Sequence, residues 1–401
     1  MKICRSYLLG LLACCTLADA EATTTCSLTG ADQDWLDRAV AAWRMARRDI
    51  AGIGEIDNFQ AIFFSSACIL SSRDALTGDA ASVSWNSARH EGTIALPGGG
   101  EMPAVVTSFT SADEQQAFFV MSTPSVWRTD GVDGGPLGLE TLMVAVMLHE
   151  GSHVAQAATY GLRVTDLEQR YALPESFGDD SLQHRFGDDE DFSASIARET
   201  ELFFAAAVEA DDLAAHCSAL EARELMRARA DQWFSNEDDY WRDAEDIWLS
   251  FEGSGQWVAY RWLTDEHGAA MPASIAMPGF AQRSRWWSQN EGLAIVLTLD
   301  RLADFDWKRH AFGDGAKTIL EMLDEALRDK PVRCPAKSAS RASGQNHGRS
   351  SSVVPNLAFQ GSDRNGSLVA HATGTSSSND MPTYRMGRSA LSTVTGMPPR
   401  I

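Results

Sequence analysis

The sequence contains no uninterrupted apolar run of about 20 residues, so no transmembrane helix is expected. It is also short of positive charge. Lys and Arg number 34 against 55 Asp and Glu, a formal net charge of −21. A surface this acidic neutralises phosphate poorly, and nucleic acid is excluded as the expected partner. No Cys-x-x-Cys pair occurs, which removes the usual cysteine zinc sites. No solenoid-type repeat is present. What is there is ordinary globular material: 401 residues, 44% hydrophobic, enough for a large core and too apolar for wholesale disorder.

The two ends differ from the rest. Residues 1–20 read as an export signal, with Lys2 and Arg5 ahead of an apolar stretch from Tyr7 to Leu17 and Ala18-Asp19-Ala20 as a small-x-small cleavage site. Leu11-Leu12-Ala13-Cys14 resembles a lipobox, so a lipid anchor at Cys14 is the minor alternative to simple cleavage into the periplasm or medium. Removal of the signal takes Cys4, Cys14 and Cys15 and leaves Cys26, Cys68, Cys217 and Cys334. An even number suits an oxidising compartment. Three pairings exist, and Cys26–Cys68 with Cys217–Cys334 is the most local. Residues 335–401 are rich in Ser, Gly, Asn and Thr, lack apolar periodicity, and read as a disordered low-complexity tail.

Between the ends the pattern is α+β: a small N-terminal β-sheet packed on a mostly helical domain. Residues 31–50 carry Leu36, Val40, Trp43 and Ala46 at helical spacing. Short runs at 58–70, 93–96, 103–108 and 117–122 are rich in Phe, Ile and Val and are punctuated by Pro and Gly. They complete an N-terminal helix-and-sheet region over 21–138. From Leu139 to Cys334 the chain reads as helical, with helices over Leu139–Ala158, Ser193–Arg229, Asp239–Leu263 and Trp287–Leu302. The polar stretch from Tyr160 to Asp191 reads as a long surface loop.

The chemistry concentrates in His149-Glu150-Gly151-Ser152-His153, an H-E-x-x-H pattern. On a helix, positions i and i+4 share a face, so both imidazoles can address one metal ion. Glu150 stands about 100° round the helix and can reach a water on the metal. The ten residues Leu139 to Leu148 contain one charge, Glu140. Two histidines and a carboxylate turned inward from so apolar a helix are costly unless something satisfies them. Gly151 costs about 1 kcal/mol in helix propensity, which implies a close approach of backbone or substrate. A catalytic zinc takes three protein ligands and keeps one position open. The candidates for the third are Glu252, Glu291 and Glu201. A third histidine of metzincin type is absent, since Gln156 stands where that pattern needs glycine.

These residues resemble the gluzincins, zinc metallopeptidases with H-E-x-x-H on one helix and a glutamate on the next. Trp248-Leu-Ser-Phe-Glu252-Gly253-Ser-Gly-Gln-Trp-Val-Ala-Tyr260 is similar to the glutamate segment of their aminopeptidase branch, and Trp287-Ser-Gln-Asn-Glu291-Gly292 is so less fully. A closer likeness is to poorly characterised exported bacterial proteins, through the order His149 to Gln156, Glu201, Arg223 to Arg229, then Glu252. It covers residues 139–262, under a third of the chain. The gap from His153 to Glu252 is longer than in the aminopeptidases, Ser254-Gly255 is atypical, and Gln256 replaces an Asp of the thermolysin branch.

The resemblance implies a zincin-like fold, Zn²⁺ held by His149, His153 and Glu252, and Glu150 as general base. It leaves Glu291 and Glu201 as alternatives, with Glu201 otherwise bonding a ligand histidine or pairing with an arginine. It also calls for a Tyr or His that steadies the oxyanion; Tyr260 is the first candidate, followed by His267 and His184. The implied function is an exported peptidase acting on a peptide or protein, with the segment Phe118 to Ser122 as the sheet edge that holds it. The alternatives are a hydrolase of a non-peptide amide or ester and a catalytically inert envelope binding protein. Seven of the twelve Trp fall between Trp233 and Trp287, a spacing that suits core packing better than a substrate cleft.

Overall fold

The computed structural model describes residues 26–329 and residue 334, apart from 55, 57–58, 73–82, 113–115, 175 and 281–285. The export signal at 1–20 with Cys14, and the tail at 335–401, lie outside the described residues. Helix α1 (Gly30–Met45) starts where the Thr29 side chain accepts from the Asp32 amide. It ends in a π-helical turn, Ala46–Ala51. Its buried face carries Trp35, Leu36, Ala39, Val40 and Trp43. Asp32 is also buried, and is satisfied by the Ser125 amide at 3.0 Å and the hydroxyls of Ser125 and Thr123 at 2.6 and 3.2 Å.

The strands are β1 (Gln60–Phe64), β2 (Cys68–Ser72), β3 (Asn86–Arg89), β4 (Thr93–Ala95), β5 (Glu101–Pro103), β6 (Ser108–Ala112) and β7 (Ala117–Ser122). Five form a sheet in the order β3-β2-β1-β7-β6, and β4 pairs with β5. Only β1 and β7 run parallel, with Ile62 opposite Val120. Side chains alternate between faces. Phe63, Phe119 and Met121 enter the main core with the helices, whereas Ile62, Phe64, Phe118 and Val120 form a separate cluster with Ile94 of β4.

The sheet corrects one expectation. Phe118 to Ser122 lies in β7, which is paired on both sides, and among the described residues the sheet's edges are β3 and β6. The reason is burial. Phe119, Val120 and Met121 are wholly inaccessible, so both faces of β7 are covered, as in an interior strand.

The helical part begins with α2 (Pro124–Thr129) and α3 (Leu139–Gln156), which carries the H-E-x-x-H residues. A π-helical turn, Ala157–Gly161, leads into α4 (Leu162–Tyr171), and α5 (Ser181–Phe186) follows. The stretch from Tyr160 to Asp191 is therefore largely helical rather than one loop. Val164 and Leu167 of α4 and Phe186 of α5 supply buried anchors to a second core, which the polar composition hides. The single helix expected over Ser193–Arg229 is two, α6 (Glu190–Val208) and α7 (Asp212–Trp233). Glu209 is extended between them, and the Asp211 carboxylate caps α7 by accepting from the Ala214 amide. The remaining helices are α8 (Tyr240–Thr264), α9 (Ala273–Phe280), α10 (Trp287–Leu302) and α11 (Ile319–Asp329). Among the described residues no helix is long and apolar enough to cross a membrane. Disulfides Cys26–Cys68 and Cys217–Cys334 form the expected local pairing, consistent with an exported protein.

Helix α8 sits in the middle. Every residue from Ile247 to Tyr260 is buried, with α3 on one side and α10 on another. The α8–α10 crossing is a backbone contact. A Cβ on Gly253 would stand 2.5 Å from the Gly292 carbonyl carbon, and one on Gly292 would stand 2.7 Å from Gly253 Cα. Gly253→Ala must push the helices apart, and should cost about 2–3 kcal/mol in denaturant unfolding. Gly30→Ala, where an added Cβ meets nothing within 4 Å, serves as the near-neutral control.

Asp246 on α8 is half-buried, accepts from the Thr318 hydroxyl at 2.8 Å, and leaves its Oδ1 shielded and without a hydrogen-bond partner. Burial pushes its carboxyl up to about 7 from the usual 3.8. Across that interval the folded chain holds a proton that the unfolded chain has lost. Stability contributed by this group is therefore full at low pH and is lost as pH rises through about 7. Asp246→Asn should flatten the fall in melting temperature between pH 5 and 8, recovering roughly 1–2 kcal/mol at the upper end. An unchanged pH profile would show that Asp246 titrates normally.

Candidate metal centre

Helix α3 turns His149 and His153 to one side, and α8 brings Glu252 against them. His149 Nε2 and His153 Nε2 lie 2.9 Å apart. Glu252 places Oε2 at 3.2 Å from the first and Oε1 at 3.4 Å from the second. All three side chains are buried, and among the described residues this is the one group of His, Cys, Asp and Glu whose donors converge as a metal site requires. Two donors about 2.0–2.1 Å from one tetrahedral ion stand roughly 3.3 Å apart, which is close to what is seen. Three converging lone-pair donors in a low-dielectric interior repel one another unless a proton or a metal ion lies between them. The residues fit a metal ion.

The neighbours are arranged around this triangle. A Cβ on Gly255 would fall 2.9 Å from His149 Nδ1 and 3.1 Å from His153 Cε1, so the glycine is what lets α8 lie against both rings. Phe251 stacks on the His153 ring, centroids 4.1 Å apart. Gln156 Oε1 lies 3.4 Å from His153 Nδ1, and a proton there leaves Nε2 free as a ligand. The Gln156 amide nitrogen is held in turn, donating to Ser254 Oγ at 2.6 Å and to the Ala311 carbonyl at 2.9 Å. Ser254 and Gly255 thus have structural reasons. Gly151 has one too: a Cβ there would stand 2.6 Å from the Trp43 ring, so the close approach is by a core indole rather than by backbone or substrate.

Glu150 belongs to the same cleft but not to the triangle. The Thr110 hydroxyl, from edge strand β6, lies 2.7 Å from its carbonyl oxygen and 3.1 Å from its Oε2, and donates to this pair. Burial pushes the Glu150 carboxyl up to about 7, with the charge of Glu252 adding to the shift and His149 and Thr110 opposing it. Burial alone would raise Glu252 as well, but His153 and His149 overcome it and hold that carboxyl far below the usual range. Two glutamates in one cleft are thereby driven in opposite directions. Asp179 and Trp248 complete the lining. Burial, then Glu252 and Asp180, raise Asp179 well above the ordinary carboxylate value.

The other candidates lie elsewhere. Glu201 is on the surface of α6, 3.7 Å from Arg198, which agrees with its reading as the partner of an arginine. Glu291 is buried beside Arg229 and Glu199. Tyr260 is in the main core two turns along α8, roughly 12 Å from Glu252 by helical rise, and does not line the cleft. His184 and His267 are exposed and pair with Asp180 and Glu266. Gln256 bonds Gln289 of α10 at 2.9 Å rather than a ligand histidine.

Thr110, Asp179 and Phe251 are the site residues that sequence reasoning passed over. Phe251 adjoins Glu252 and carried a signal; Thr110 and Asp179 arrive from a strand and a loop and carried none. No family model, curated protein or solved structure matches the chain.

Incubated with a divalent transition metal and desalted, the protein should retain about one ion per chain. His153→Ala and Glu252→Ala should lose it, and Glu291→Ala and Glu201→Ala should keep it, as read by elemental analysis. Retention in Glu252→Ala would remove that residue from the ligand set.

Proposed function

We propose that the chain is an exported zinc-dependent metallohydrolase, a peptidase of gluzincin type with a zincin-like fold. The observation that carries the proposal is the division of labour between two buried glutamates. Glu252 lies against the two histidines, where a third ligand would stand, while Glu150 lies beside them on a hydroxyl tether, outside the group of converging donors. Two nitrogens and one carboxylate oxygen suit zinc and leave a position open. Zinc, when bound, supplies a Lewis acid and an acidified water.

The rest falls to the chain's own groups. Glu150 accepts the proton of the attacking water and delivers it to the leaving amine, a task favoured by a carboxyl poised near neutrality. Thr110 fixes the direction of that carboxylate. Gln156 and Phe251 hold the His153 ring in register. Because Thr110 belongs to edge strand β6, an extended peptide that pairs with the edge would run beside Glu150. The two disulfides and the export signal support action outside the cytoplasm. A purely structural metal site has no use for Glu150, which weighs against an inert binding protein.

Glu150→Gln should retain the metal and lower hydrolysis of a responsive substrate, found in a panel of peptides, amides and esters, by about 10²–10⁴-fold. Undiminished turnover with the metal in place would sink the proposal. Turnover of esters or non-peptide amides alone would keep the metallohydrolase and discard the peptidase.

A further inference from the structure

The metal centre is closed to anything of substrate size. His149, Glu150, His153 and Glu252 are between 2% and 7% exposed, and the cleft they line has a free volume of about 20 Å³, room for one water-sized body. A peptide bond can reach these groups only if a wall moves. The walls differ in what moving would cost. Helices α3 and α8 carry the converging donors and pack on each other. Thr110 is fixed in β6 by pairing with β7 and by its bonds to Glu150. Asp179 is the exception. It stands in a turn outside any helix or strand. The helix that follows it, α5, has six residues, too few to hold its place without packing.

That packing is loose. A second void, of about 10 Å³, lies between this segment, which lines it with Asp179, Leu182 and Gln183, and helices α8 and α10. Trp241 and Trp248 of α8 also line it, and each buries an indole N–H that has no hydrogen-bond partner. A close-packed interior has few such gaps and few such donors. The two cavities meet at Asp179 and Trp248, so one segment borders both. Its attachments are local. Phe177 rests on the Trp241 ring, centroids 5.5 Å apart, and Phe186 stacks on Phe192 at 4.6 Å. Gln183 Oε1 accepts from the Trp287 amide at 3.1 Å. Arg185 reaches Asp238 at 3.4 Å in a largely exposed pair, which contributes little.

We propose that the segment Phe177–Phe186 is a lid on the metal centre. It lifts from α8 and α10 and takes Asp179 out of the cleft. Phe177 leaves its seat on Trp241 while Phe186 stays in the second core. The cleft then passes from one that admits water to one that admits an extended chain. That a peptide is what enters rests on the peptidase reading above; the gating of the metal centre does not.

The test is thiol labelling beneath the lid, on the full chain, read at the substituted position by mass spectrometry. Ala244→Cys places a thiol on α8 at the second void, and Ala259→Cys places one in the main core about four turns along the same helix. A small methanethiosulfonate reagent should modify position 244 at least about tenfold faster than position 259, since a lid opens at a lower free energy than the whole fold. Phe177→Ala should raise the rate at 244 by about tenfold more, and Phe177→Leu, which keeps more of the packing, by less. Zn²⁺ loaded into the chain should pass to a chelator faster in Phe177→Ala by a similar factor, because both reagents use one opening. Equal labelling at the two positions overturns the proposal. Zn²⁺ that does not bind, or that leaves parent and variant at the same rate, overturns it too. A lid that opens over a metal centre that cuts no peptide leaves the inference standing and removes the peptidase reading alone.

Discussion

A helix with no exposed face organises this protein. From Ile247 to Tyr260, α8 touches other parts of the chain on every side. That imposes two demands. Neighbouring helices can come close only where the side chain is absent, and each polar group on the helix must find a partner inside the protein. Gly253 meets the first demand against α10, and Gly255 meets it against the two histidines of α3. The second is met at most of them, while Trp248 Nε1 and Gln256 Oε1 keep no hydrogen-bond partner. Ser250 accepts from the Ile319 amide, Ser254 accepts from Gln156, and Gln256 bonds Gln289. Glu245 meets Arg229, and Glu252 meets His149 and His153.

The same demand explains the two similar segments, Trp248 to Gly253 and Trp287 to Gly292. Each has a tryptophan, three residues, a glutamate and a glycine. The glycines face each other where α8 and α10 cross. The glutamates, each one position earlier, diverge to different surroundings. Glu252 is turned to two imidazoles and is held ionised. Glu291 is turned to an arginine already engaged by two other carboxylates, and its acid form is favoured. The two segments share Trp, Glu and Gly at the same spacing, and the helices opposite them make the chemistry different. The metal centre and a second pocket between α5, α8 and α10 are neighbours, with Asp179 and Trp248 lining both.

Burial of charge is concentrated along this seam. Glu150, Glu199, Glu245, Glu252 and Glu291 are all buried, in a chain whose exposed surface has no shortage of acid. A fold gains nothing in hydrophobic stabilisation from such groups. They are tolerable because His149, His153, Arg229 and the Thr110 hydroxyl stand beside them, and because burial raises the pKa of those left over and so favours their neutral form. Sites that do chemistry carry this kind of cost.

Much of this was legible in the sequence. The i, i+4 histidines on an apolar helix, the helix spans of α3, α8 and α10, and the local disulfide pairing follow from spacing and composition, while the segment around Glu252 was picked out by its resemblance to the gluzincins. These are short-range rules, and short-range rules read well along a chain. Legibility ended where pairing partners are distant. β7 looked like an edge until β6 and β1 were seen on its two sides, and the helices α4 and α5 were hidden by polar residues that face solvent. Glu252, Glu291 and Glu201 could not be ranked on residues alone, since each is a glutamate on a helix. Which one meets the histidines depends on the rotation and depth of α8 against α3, and that is set by Gly253, Gly255 and the side chains packed around them. Sequence determined the kind of site, because ligand chemistry is a property of residue types. Tertiary structure decided its membership, because convergence within about 3 Å is a property of how helices cross.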